Sequence, residues 1–171
     1  MIGTLLAGLE DIFGRIVFVR WGIVCTFIGG TFGSCMPEFY SFCIFPFIAG
    51  MGVGLYEVSA VTYCTEINKI EYRARFFIYL NFTYFAGAVA SVALAFALTP
   101  GLSPDNWRWL VAIGGIPALP GAILAFTHLR ESPRHLLAHK RYDEVEEVLN
   151  MMLRLNGKAE MTPDEFNAIK E

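Results

Sequence analysis

The chain has 171 residues, of which 55% are hydrophobic, 15% aromatic and only 17% charged. Soluble domains carry about a quarter charged residues, so this composition excludes an ordinary soluble protein over most of the length. A formal net charge of −3 with no basic stripe excludes a nucleic-acid-binding protein.

The apolar runs lie in residues 1–129, and residues 130–171 read as a water-exposed segment. The opening stretch MIGTLLAGLEDIFGR lacks a basic region before its apolar part and ends in Glu10 and Asp11, so it is not a signal peptide. Its apolar part, about 10 residues, is too short to span a bilayer and reads as the tail of a helix that starts upstream. Four spans are predicted at 16–35, 39–65, 76–99 and 107–129, each bounded by charges or turn residues. Roughly 20 apolar residues, each rising about 1.5 Å, cross the ~30 Å hydrocarbon layer. These spans must be helical, because lipid offers no partners to unpaired backbone groups. The predicted fold class is therefore an all-α membrane protein.

Small residues recur in the spans: Gly29, Gly30 and Gly33; Gly50, Gly52 and Gly54; Gly87, Ala88, Ala90 and Ser91; Gly114, Gly115 and Gly121. They let helix backbones approach closely, so tight bundle packing is expected there. Pro46, Pro117 and Pro120 lie inside spans and are expected to kink them. The tail, 130–171, reads as three short helices. Ser132 caps the first, with Pro133 at its first position. Asp143 and Glu146 have capping-box spacing for a second at 144–156, stopped by Gly157. Thr162, Pro163 and Glu165 start a third. Val145, Val148, Leu149 and Met152 form an apolar stripe expected to pack on the cytoplasmic face of the spans or on another part of the protein.

Basic residues set the orientation. Arg15 and Arg20, then Lys69, Arg73 and Arg75, then Arg130, Arg134, Lys140 and Arg141 fall on one side, against Arg108 alone on the other. This places both chain ends in the cytoplasm and 36–38 and 100–106 outside. An integral multi-pass protein of the plasma membrane or an intracellular vesicle is expected, with lipid as its surroundings. Cys25, Cys35, Cys43 and Cys64 have no metal-ligand spacing and read as free thiols, a Cys35–Cys43 bridge being the lesser alternative. His135 and His139 are four apart, but no third ligand accompanies them. No nucleophile–base spacing occurs. Neither an enzyme nor a cofactor or metal site is expected.

The stretch GLYEVSAVTYCTE, residues 54–66, holds one acid among apolar neighbours. Glu57 lies nine residues before Glu66, about 13 Å along a helix, which puts it near the bilayer midplane. An unpaired carboxylate there costs about 2.5 kcal/mol or more, so it should face the bundle interior or a wet path. Four roles stay open: binding a cationic solute, carrying a coupled proton, bridging another helix, or sitting protonated as a packing residue. Tyr56, Tyr63, Asn81 and Tyr84 are candidates to line the same path.

Three charged signatures complete the reading. GLEDIFGR holds Gly8, Asp11, Gly14 and Arg15; YCTEINKIEYRAR holds Glu66 and Arg73; RESPRHLL holds Glu131, Ser132, Pro133 and Arg134. In this order, with these spans between them, they resemble the major facilitator superfamily of secondary transporters. The first is similar to that family's G-x-x-D-R-x-G-R-R loop, the second to its Y-x-x-E-x-x-P-x-x-x-R-G segment, the third to P-E-S-P-R. The resemblance implies that the four spans are the third to sixth helices of a twelve-helix protein. Residues 1–11 would end the second helix, and 130–171 would begin the central cytoplasmic loop. It implies alternating-access transport of a small solute, with or without a coupled proton, completed by the missing helices. It also implies that Asp11, Arg15, Glu66, Arg73, Glu131 and Arg134 form charge networks that lock one half to the other. Ile12 and Ile16, Pro46, Val61, Lys69 and Ala74 depart from the family pattern. The stretch NWRWLVAIGGIPAL and the glycine-rich approach to Glu57 resemble the organic-ion and synaptic-vesicle-related branches. An organic ion is therefore the expected solute, with a sugar porter, or a truncated or vesicle-type protein that does not transport, as alternatives.

The orientation is testable in a protein whose four cysteines are replaced. Cysteine at Glu38 is expected to react with an impermeant maleimide outside intact cells, and cysteine at Lys158 only after permeabilisation. The reverse pattern inverts the topology.

Overall fold

The structure, a computed structural model, describes residues 9–36, 38–98, 107–162 and 165–166. A single turn, α1 (Glu10–Phe13), stops at Gly14, and α2 (Arg15–Phe32) begins at the next residue. A 3-10 turn at Gly33–Cys35 follows. Next come α3 (Phe39–Ile67) and α4 (Ile70–Leu98), then α5 (Trp107–Gly115) and α6 (Ala118–Thr127). The tail supplies α7 (Pro133–Ala138) and α8 (Tyr142–Leu155). Four stretches are long and apolar enough to cross a membrane: Arg15–Cys35, Phe42–Ile67, Ile70–Leu98 and Arg108–Thr127.

Two boundaries differ from the predicted ones. α4 starts at Ile70, six residues before position 76, and only Asn68 and Lys69 separate it from α3. The charges of Glu71, Arg73 and Arg75 leave the hydrocarbon, but nothing among them breaks a helix. The last span is two helices, because Pro117 and Pro120 cannot donate the backbone bonds that would join α5 to α6. Pro46, by contrast, sits inside α3 without ending it.

The core of the bundle is α2, which packs against α3, α5 and α6. Its contact with α3 is nearly backbone on backbone. A Cβ on Gly52 would stand 2.6 Å from both the amide nitrogen and the hydroxyl of Thr26. Gly22 and Gly29 of α2 meet α3 as closely, and Gly30 meets Gly115 of α5. Such a seam gains dispersion over its whole length. The expected tight packing therefore holds at Gly29, Gly30, Gly33, Gly52 and Gly115. It does not hold at Gly50, Gly87, Gly114 or Gly121, where a Cβ would touch nothing. α4 has no buried residue, and most of its residues are exposed.

The tail makes a small core of its own. Leu136, Val145, Val148 and Phe166 are buried together, with Leu149, Met152 and Met161 packed around them. The stripe on α8 thus closes on α7 and Phe166, not on the spans as expected, because α7 offers it an apolar face a few residues away. Lys140, at φ 57°, turns the chain between the two helices. Ser132 does not cap α7; its hydroxyl is buried and no capping bond forms. Pro133 does occupy the first turn. α8 begins two residues early, so Asp143 lies inside its first turn and is not a cap. The third start is a working capping box: the Thr162 amide donates to Glu165 Oε2 (2.9 Å) and the Glu165 amide to Thr162 Oγ1 (3.4 Å). The Thr162 amide and hydroxyl, both donating to Glu165 Oε2, hold that carboxyl below its ordinary value. Pro163 lies outside the described residues.

Gly52→Val is expected to lower the thermal midpoint in detergent, at a cost of about 1–3 kcal/mol from overpacking. Gly50→Ala should leave the midpoint unchanged or raise it.

Candidate functional site

Charged groups converge where α2 begins, α3 ends and the chain leaves α6. The first amides of a helix have no partners within it, and the positive end of its dipole favours an anion. Glu131 fills that place from the far end of the chain. Its carboxylate accepts the amide of Arg15 (3.1 Å) and of Ile16 (3.3 Å), and also that of Ser132 (3.0 Å). Gly14 makes this approach possible. Its φ of 98° suits glycine, and a Cβ there would collide with the Glu131 carboxylate.

Fixed in this way, Arg15 projects its side chain to the end of α3 and donates from Nη2 to Glu66 Oε1 at 2.9 Å. The two side chains are 11% and 7% exposed, so this is a buried pair, and removing one partner strands the other. Two further contacts close the same end. The Tyr63 hydroxyl donates to the Arg130 carbonyl at 2.7 Å. Arg20 donates to the carbonyls of Ala125 (3.0 Å) and Leu129 (2.9 Å), at the open C-terminus of α6.

Of the six charges assigned to the gate, the structure brings Arg15, Glu66 and Glu131 together. Arg73 donates to the Asn68 carbonyl at 3.3 Å, and Arg134 is exposed. Gly8 and the Asp11 side chain lie outside the described residues. Two members were missed. Arg20 carries a signal, since a charge five residues inside a span must find acceptors. His135 carries none, as it lies in a segment of soluble character. It is nonetheless only 6% exposed, stacked on His139 with ring centroids 4.2 Å apart. Burial pushes its pKa below the ordinary value, and Arg15 and His139 act in the same direction. Glu131 and Glu66 pull it upward.

The midplane candidates separate into two groups. Gly52, Leu55 and Ser59 form the buried face of α3 toward α2, and Glu57 lies on the exposed side. Tyr56 lies within electrostatic reach of both Glu57 and Tyr84. Asn81, one turn before Tyr84 on α4, donates to its own helix at Phe77 O (2.9 Å). Tyr63 belongs to the charged end. Among the described residues no three His, Cys, Asp or Glu side chains are arranged to hold a metal, and the four cysteines are free.

A family model described as sugar (and other) transporter matches residues 1–171. A steroid transmembrane transporter of Oryctolagus cuniculus is 31% identical over 165 residues, covering 92% of this chain and 28% of that protein. Monosaccharide-sensing protein 1 of Arabidopsis thaliana is 27% identical, with 96% and 22% covered. The D-xylose transporter of Levilactobacillus brevis is 28% identical, with 100% and 36% covered. The partially occluded, inward-open structure of the xylose transporter XylE from E. coli matches with a TM-score of 0.75 at 23% identity, over 89% of this chain and 42% of that one. That likeness shows the fold, a partial major-facilitator bundle. The chain spans between 22 and 36% of the length of these curated relatives.

Glu131→Ala removes the acceptor of three amides and is expected to destabilise the protein by about 2–4 kcal/mol. Glu131→Gln, which keeps an oxygen in place, should lose about half as much. Thermal melts in detergent at pH 7.5 check both values, and equal melting of the three proteins would count against the capping role.

Proposed function

The chain belongs to the sugar (and other) transporter family, and on that premise we propose that it forms part of one half of an alternating-access transporter for a small solute. The observation that carries this reading is the cluster of Arg15, Glu66 and Glu131. It ties together the start of α2, the end of α3 and the segment after α6 through side-chain bonds. Polar contacts of this kind can be exchanged for water, whereas the glycine seam between α2 and α3 cannot. The end that opens is therefore the charged end, and the seam moves as one body. The excess of basic residues places that end, and both chain ends, in the cytoplasm.

The solute site lies on the exposed side of α3. Glu57 stands there, with Tyr56 beside it at the edge of the seam and Tyr84 of α4 within electrostatic reach of Tyr56; Asn81 lies one turn before Tyr84. An acid kept at this depth offers a counter-charge to a cationic group or a seat for a coupled proton. An organic cation is the solute class this favours. The remaining helices of the full-length protein complete the site. A second reading, a sugar porter, is favoured by the relatives from Arabidopsis thaliana and Levilactobacillus brevis, whose names concern monosaccharides and D-xylose.

Uptake of radiolabelled tetraethylammonium and of D-xylose by the full-length protein separates the two readings. Tetraethylammonium is expected to accumulate, and Glu57→Gln to reduce its uptake at least tenfold at equal surface amount. Uptake of D-xylose alone establishes the sugar reading. Tetraethylammonium uptake that survives Glu57→Gln removes Glu57 from the pathway.

A further inference from the structure

We infer that His135 is a proton-responsive positioning residue of the Arg15–Glu66–Glu131 cluster: it is neutral while the cluster is closed and takes up a proton as the cluster opens. The inference rests on reading that cluster as a gate.

The geometry is unusual for a histidine. The ring is almost fully buried, and neither Nδ1 nor Nε2 has a hydrogen-bond partner among the described residues. A buried imidazole normally finds at least one partner, since a bare N–H away from water is costly. Here the ring is held by shape. One side stacks on His139, whose ring plane is tilted by only 13° and whose Nδ1 lies 3.1 Å from the His135 carbonyl. On the next helix, α8, Val145 and Val148 pack with the neighbouring Leu136. The charged and titratable groups that act on His135 are Arg15 from α2, Glu66 from α3, Glu131 from the segment before α7, and His139 from α7 itself.

These groups make the protonation of His135 depend on the state of the cluster. In the closed state burial, Arg15 and His139 all disfavour the charged ring, and they outweigh Glu131 and Glu66. When Arg15 leaves Glu66 and water enters, burial and Arg15 no longer act, while the two carboxylates remain. One of them then lacks its cation, and a protonated His135 replaces it. Closure is thus fully stable only above the open-state value of His135, which the two carboxylates raise above the ordinary histidine value. It weakens as pH falls through that open-state value, because the open state binds a proton that the closed state refuses. His139 stacked alongside disfavours a second proton. Acid on this side therefore loosens the gate.

Hydrogen–deuterium exchange of the full-length protein in nanodiscs, corrected for the intrinsic effect of pH, tests this without a known solute. Peptides covering Arg15–Val19 and Glu131–His139 are expected to exchange at least fivefold faster at pH 5.5 than at pH 7.5. His135→Phe keeps an aromatic ring for the stack and should abolish that acceleration, with exchange at pH 7.5 unchanged. His135→Gln should do the same, and serves if the phenylalanine variant melts early. Acceleration that persists in the non-titrating variants, or is absent from the unaltered protein, overturns the inference. Arg15→Gln is a separate arm. It should speed exchange at both pH values, and if it does not, the reading of the cluster as a gate fails independently of His135.

Discussion

One carboxylate sets the geometry of the charged end. Glu131 takes the two leading amides of α2, 115 and 116 residues away in sequence, and so fixes where that helix begins. Bonds from amides to an ionised acceptor contribute about 1.5–3 kcal/mol each before the desolvation of the carboxylate is set against them. Gly14 is a condition of this contact, since a side chain at that position would occupy the space of the carboxylate. The Arg15–Glu66 pair depends on it in turn. The guanidinium reaches the end of α3 only because the backbone of Arg15 is held at the first turn. Removing the cap would therefore weaken the ion pair without touching either of its members.

The same bundle is held by two chemistries. Along α2 and α3 small residues bring backbones into contact, and separating them would forfeit dispersion with nothing to replace it. At the charged end the contacts are side chains on amides, carboxylates and carbonyls, all groups that water also satisfies. Motion is cheapest where water can substitute for the bonds that are lost. The junction of Arg15, Glu66, Glu131 and Tyr63 is where the bundle holds bonds of that kind. Glu57 lies on the exposed side of α3 and Asn81 and Tyr84 on exposed stretches of α4, whereas the backbone and Cβ of Tyr56 sit against Gly22 at the seam.

The tail is more than a connection. Its own core joins α7, α8 and Phe166 into a unit. Its surface tie, Arg130 to Glu147 at 4.0 Å between exposed side chains, contributes little. The stronger attachment runs through the two residues just before α7: Glu131 on α2 and the Arg130 carbonyl on Tyr63. Any shift of this unit is felt first at the cap of α2.

The sequence by itself determined the helical spans, because a long apolar run in lipid has only the helix to satisfy its backbone. It also marked the break near Pro117 and a helix start at Thr162 and Glu165, but it placed the capping box at Asp143 and Glu146, whereas the box forms at Thr162 and Glu165. Of the candidate site, the charged motifs and the acid at Glu57, set in an apolar span, were legible as residue types out of place. What only the tertiary structure decided was which of them meet. Ser132 looked like a cap, but Glu131 is the one that caps, and it caps another helix. Tyr63 looked like a pathway residue but bonds to the Arg130 carbonyl. His135 and Arg20 acquire their surroundings from helices far away in the chain. Local periodicity fixes each helix from its own neighbours, whereas the pairing of helix ends depends on crossing geometry, set by small residues on several helices at once.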